Sequence, residues 1–276
     1  MLSKSIFWLW LAGLVVLIIG LFVRRKNLAV SRGLDVLIVL GPVFFAAPLA
    51  LFGAEHLVSA RFIMQLVPAW VPFHLFWAYF FGFALLSAAV SLVMNRYVHL
   101  SATLLGIMFL LFVALIHVPN VITHPRHRIL WAVALRDLAF AGGAFALAGA
   151  RLIPVSRLCI AIPVLFFAFE HFLHPTFAPG VPLSKVTPAW VPFRPLWGYL
   201  TGAILLLAGA ALLIDKRPRT AAASIGLLMT LLTVFLYVPI LALAPPSGLT
   251  EALNYVADTL LFGGAALLLA GCFECF

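Results

Sequence analysis

PAWVPFHLFWAYFFG, residues 68–82, returns as PAWVPFRPLWGYLTG at residues 188–202. Nine positions are shared, in the pattern P-A-W-V-P-F-x-x-x-W-x-Y-x-x-G, at a spacing of 120 residues. Chance repetition of nine fixed positions is not credible, even in apolar sequence. Two prolines four residues apart resist a continuous helix: each lacks an N–H and pushes the preceding residue toward extended backbone. The segment therefore reads as a bend or re-entry ahead of a helix.

Other landmarks recur around it. Glu55-His56 matches Glu170-His171 at a spacing of 115, Val118-Pro119 matches Val238-Pro239 at 120, and Asp137 with Gly142-Gly143 matches Asp258 with Gly263-Gly264 at 121. Five extra residues fall between His171 and Pro188, where an external loop is predicted. A tandem duplication accounts for the pattern. Each copy holds four apolar stretches. An even number sends both copies into the membrane from the same side, which predicts parallel repeats about a pseudo-two-fold along the membrane normal.

The composition requires a bilayer. Hydrophobic residues make up 65% of the 276 and charged residues 9%, against about 45–50% and 25% in soluble domains. Residues 5–23 are almost wholly apolar. They read as a retained spanning helix, because the run is long for a signal peptide and no convincing small-x-small cleavage site follows. Eight more stretches follow at roughly 36–60, 73–94, 98–118, 129–149, 155–173, 194–214, 220–241 and 252–272. Most are near the ~20 residues that cross the hydrocarbon core, and lipid-exposed backbone must be helical. The expected fold is an all-α polytopic membrane helix bundle, two parallel four-helix repeats plus one N-terminal transmembrane helix. Its expected divisions are 1–34, 35–151 and 152–276.

The net charge is +9, but it falls in short clusters between apolar runs and forms no continuous patch. This reads as loop charge that orients a membrane protein, with no nucleic-acid partner. With the N-terminus outside, the inside segments hold Arg24, Arg25, Lys26, Arg32, Arg96, Arg151, Arg157, Lys216, Arg217 and Arg219. The outside segments hold Lys4, Arg61, Arg126, Arg128, Lys185 and Arg194. That bias predicts an outside N-terminus and an inside C-terminus.

Ionisable groups at membrane depth are the candidates for chemistry. Glu55 and His56 diverge by about 100° on their helix and must find partners elsewhere. The sequence offers His117 and Asp137 in the first half; the counterparts of these four in the second are Glu170, His171, Tyr237 and Asp258. Each cluster reads either as interhelical glue, at ~0.6–2 kcal/mol per contact, or as a site that passes protons or hydrogen-bonds a quinone carbonyl. Arg136 aligns with Ala257, so it neutralises a carboxylate in the first half only, or it snorkels. Trp70 and Trp190, with Trp77 and Trp197, read as interfacial anchors or as the wall of an external-leaflet pocket. Gly142-Gly143 and Gly263-Gly264 read as helix-packing sites.

Other motifs lead less far. His124-Pro125-Arg126-His127 has no third ligand at suitable spacing, so no metal site is expected. Cys272 and Cys275 have C-x-x-C spacing but follow a helix instead of opening one, which removes the context that activates such thiols. No P-loop, dinucleotide fingerprint, H-E-x-x-H or nucleophile elbow is present.

A four-helix unit with Glu-His near the end of its first helix, then P-x-W-x-P, then W-x-Y-x-x-G opening the second, resembles the DoxX-like family. The resemblance covers residues 36–150 and again 155–272, and the fused double copy departs from the usual single unit. It implies a multi-pass protein of the bacterial cytoplasmic (inner) membrane. It also implies a redox association, since a DoxD-type subunit belongs to a thiosulfate:quinone oxidoreductase and DoxX itself is linked to oxidative-stress complexes. The expectation is a quinone-linked redox subunit with a redox partner protein. No membrane-embedded cysteine pair or haem attachment motif accompanies it, so thiol catalysis is not expected. The alternatives are a small-molecule transporter with its pathway between the halves, and a non-catalytic scaffold.

Overall fold

The computed structural model describes residues 4–273; Cys275, and with it the C-x-x-C pair, lies outside them. Nine helices among the described residues are long and apolar enough to cross a bilayer. They are α1 (Phe7–Val30), α2 (Leu34–Val58), α3 (His74–Val93), α4 (Val98–Thr123), α5 (Arg128–Leu147), α6 (Ala150–Leu173), α7 (Arg194–Leu213), α8 (Pro218–Ala242) and α9 (Pro246–Gly271). The chain is a multi-pass membrane protein. Among the described residues the one departure toward β structure is an isolated bridge, Phe177 to Val186.

The helices alternate in direction. One end of the bundle carries both PAWVPF segments; the other carries the short turns around Ser31, Asn95, Gly149 and Asp215. Residues 67–73 are non-helical, as the paired prolines demand, and Phe73 takes a left-handed conformation just before α3. Phe193 does the same before α7, and Trp77 and Trp197 each donate Nε1–H to the carbonyl five residues back, Pro72 and Pro192, at 3.0 Å.

The fourth stretch runs further than the sequence suggests. It passes Pro119 and ends at Thr123, because a wide π-turn at Val113–His117 precedes the proline. Proline removes one hydrogen bond and crowds the carbonyl four residues back; an inserted residue opens the ladder and absorbs both effects. A second π-turn at Thr233–Tyr237 precedes Pro239 in α8. His117 and Tyr237 are the last residues of these two turns, so the widening also sets where their side chains point.

The interior is organised around α2, α5, α6 and α9. Helix α2 packs on α1, α3 and α9, α6 packs on α5 and α7, and α5 lies beside α9. Glycine permits the two central approaches. A Cβ on Gly143 would stand 2.5 Å from Cβ of Ala265, and a Cβ on Gly264 would stand 2.6 Å from the backbone nitrogen of Phe45. Close backbones gain dispersion contacts that lipid tails do not offer there.

Candidate functional site

The last helix of each half crosses to the first helix of the other: α9 packs on α2, and α5 packs on α6. This redistributes the polar side chains that the sequence groups by half. Glu55 on α2 accepts a hydrogen bond from Asn254 on α9 (3.1 Å), and Glu170 on α6 pairs with Arg128 on α5 (3.2 Å). Asp258 on α9 pairs with Arg136 on α5 (2.7 Å). Arg136 therefore serves a carboxylate of the other half, not one of its own, and its stem does not snorkel outward. Of the expected intra-half contacts, His117 does meet Asp137, Nε2 to Oδ2 at 2.9 Å.

His56, His117, Arg136, Asp137 and Asp258 come together on a cavity of about 420 Å³. Its walls are apolar and aromatic, with Phe52, Phe81, Phe109, Phe112 and Phe140. Ile63 and Leu66, from the short helical stretch after α2, and Val67 just beyond it also line the cavity. The polar side chains lining this chamber are few, and two pairs of them are bonded to each other. There, Nε of Arg136 is buried without a hydrogen-bond partner, although a guanidinium nitrogen holds Asp258. The ring of His56 donates Nδ1–H to the Phe52 carbonyl (2.8 Å), which leaves Nε2 as its open position.

His171 and Tyr237, the second-half counterparts of His56 and His117, meet the chain itself. The segment between His171 and Pro188, expected as an external loop, folds inward instead. Val181 and Leu183 are 0% and 1% exposed, and Ala178 packs against Leu236 and Tyr237. A narrow hairpin holds the segment together, with Ala178 N–H to Lys185 O (2.8 Å) and Thr187 N–H to Thr176 O (2.9 Å). The buried side chains then pin it. Tyr237 donates to the Pro179 carbonyl (2.8 Å), and Gly180 N–H donates to Nε2 of His171 (2.9 Å). Arg128 donates to the Leu183 carbonyl and lies over the Phe177 ring at 4.1 Å. The five additional residues supply the length for this plug; apolar Val181 and Leu183 supply the reason it stays.

The four tryptophans do not wall the chamber. Trp70 is 69% exposed at the end of the bundle. Trp77 stacks on Phe81 and meets Phe80 edge-on. Trp190 and Trp197 line a separate groove of about 460 Å³ between α7 and α8. Sequence reasoning missed Asn254 and Arg128 as partners and placed no weight on the phenylalanines. They come one each from α2, α3 and α5 and two from α4, which leaves no pattern in the sequence to separate them from ordinary lipid-facing phenylalanines.

No protein-family model, curated protein or solved structure matches this chain.

Proposed function

We propose that the chain is a DoxX-like protein of the bacterial inner membrane whose first-half chamber binds a small lipophilic ligand of the quinone class, in association with a redox partner protein. One observation carries this reading: an aromatic-walled cavity of about 420 Å³ whose polarity is limited to His56, Asn120, the His117–Asp137 pair and the Arg136–Asp258 pair. Ligand pockets of this kind are predominantly apolar with a few convergent polar groups, and span about 300–1,000 Å³. A ring head group fits among the phenylalanines while its oxygens meet the polar side chains, and an isoprenoid tail is at home in the surrounding lipid.

The halves are parallel repeats in this reading. Support comes from local geometry that recurs with the sequence landmarks: the left-handed Phe73 and Phe193, the two π-turns, and the His56 and His171 rings bonded to the carbonyl one turn back. The N-terminus lies outside, because the bundle end bearing Arg96, Arg151, Lys216 and Arg217 collects most of the basic loop residues and basic loops stay cytoplasmic.

The test is an inventory of lipids and quinones extracted from protein purified out of quinone-containing membranes. Quinone should accompany the wild type and be lost from Val133→Trp, which places an indole in the chamber that Val133 lines. A wild-type extract without quinone overturns the quinone assignment.

A further inference from the structure

In the second half the chain supplies its own occupant, and that occupant has a definite hydrogen-bonding polarity. The carbonyl of Pro179 and the N–H of Gly180 belong to one peptide group. Tyr237 donates to its oxygen, and Nε2 of His171 accepts from its nitrogen. Accepting an N–H requires a lone pair on Nε2, so the ring proton of His171 resides on Nδ1, where the Phe167 carbonyl receives it at 2.5 Å.

His56 stands at the matching place in the first half with the same bond, Nδ1 to the Phe52 carbonyl, and it lines the chamber. A carbonyl can only accept, so Nδ1 of His56 carries a proton too, and in the neutral ring the lone pair lies on Nε2. Nε2 of His56 then offers the chamber a lone pair. Arg136 lines the same chamber and, beside its bond to Asp258, keeps an Nε–H without a hydrogen-bond partner. Together the two side chains ask for a donor and an acceptor on one head group; in the other half the Pro179–Gly180 peptide meets such a demand, with Tyr237, the counterpart of His117, as the donor. There Val181 and Leu183 are buried beside that peptide, whereas here phenylalanine rings line open volume.

We infer that the chamber selects a lipophilic ligand whose head group presents an O–H or N–H to His56 Nε2 beside an oxygen that accepts from Arg136. This rests on the chamber-ligand and repeat readings above and narrows them. A ligand offering only carbonyl oxygens sets lone pair against lone pair at His56. Within the quinone class the chamber therefore favours the quinol, whose hydroxyls donate, over the quinone.

Two probe pairs test this on the full chain in nanodiscs. N-decylacetamide and decyl acetate share size and carbonyl and differ in one donor; decylubiquinol and decylubiquinone, compared without oxygen, differ in the same sense. A buried acceptor left unpaired costs about tenfold in affinity. The amide should bind about tenfold tighter than the ester and the quinol tighter than the quinone, with both ratios falling toward one in His56→Leu. If that variant does not fold, the wild-type ratios decide. Equal binding of amide and ester overturns the inference, whatever the quinones do. Discrimination between amide and ester with no binding of either ubiquinone form upholds it and sinks the quinone assignment alone.

Discussion

Arg136 of α5 and Asp258 of α9 meet between the two parallel helices at the centre of the bundle, Nη1 to Oδ2 at 2.7 Å, with side chains only 16% and 9% exposed. The pair joins a residue of the first half to one of the second. Removing Arg136 alone strands a buried carboxylate, and breaking a buried pair from one side costs about 3–5 kcal/mol. Arg136→Leu should lower the thermal midpoint of the purified protein markedly. Arg136→Leu with Asp258→Leu should recover most of the loss, since a buried pair replaced by apolar groups is often neutral. A double variant no more stable than the single one would show that the pair is not the partnership that matters.

The crossing of α9 over α2 depends on an absent side chain. Gly264→Ala puts a Cβ 2.6 Å from Phe45 N and 2.8 Å from the Phe44 carbonyl carbon. Backbone cannot rotate aside as a side chain can, so the helices must separate. The expected loss is about 1–3 kcal/mol, read as a lower unfolding midpoint in detergent. Gly33→Ala is no matched control because Gly33 has φ +59; Gly13→Ala, whose new Cβ would stand 3.5 Å from its nearest neighbour, is one and should change little.

Two of the bonds that hold the plug go to one peptide group. Tyr237→Phe removes the donor to the Pro179 carbonyl and leaves that oxygen buried, at a cost of about 1–3 kcal/mol. Amide hydrogen exchange over residues 176–187 should quicken, while exchange in α3 stays unchanged. Gly180→Ala should act in the same direction: Gly180 has φ +125, and a Cβ there would stand 3.0 Å from the Tyr237 hydroxyl. Unaltered exchange in both variants would mean that the apolar contacts of Val181 and Leu183 hold the segment unaided.

Sidedness is open to direct labelling. With the native cysteines replaced, Trp70→Cys and Trp190→Cys should react with an impermeant reagent added outside, and Lys216→Cys only after the membrane is opened. Trp70 and Trp190 are both exposed. Reaction of the first two from opposite sides would end the parallel-repeat reading.

Much of the architecture was legible because bilayer physics is local. Nine apolar runs appear as nine helices, and the bend at residues 67–73 follows from Pro68 and Pro72. The end of α4 was misjudged at 118 because a proline normally limits a helix, whereas a π-turn lets the chain continue to Thr123. The site was legible as a set of residues and not as a set of pairs. Which carboxylate Arg136 meets depends on α9 lying beside α5, a tertiary fact with no trace in residue spacing. The inward fold of residues 178–183 was hidden for a different reason: Pro179, Gly180 and Pro182 carry strong turn signals, and turns normally lie at the surface.

The plug also fixes a stoichiometry. A sequence-repeated frame invites the expectation of two equivalent seats, with ligands that sense each other through the shared α5–α9 contact. If the ligand takes the chamber as proposed, with Pro179–Leu183 in the matching place of the other half, the chamber should fill along a simple hyperbola, with a Hill coefficient of one and one equivalent bound there per polypeptide.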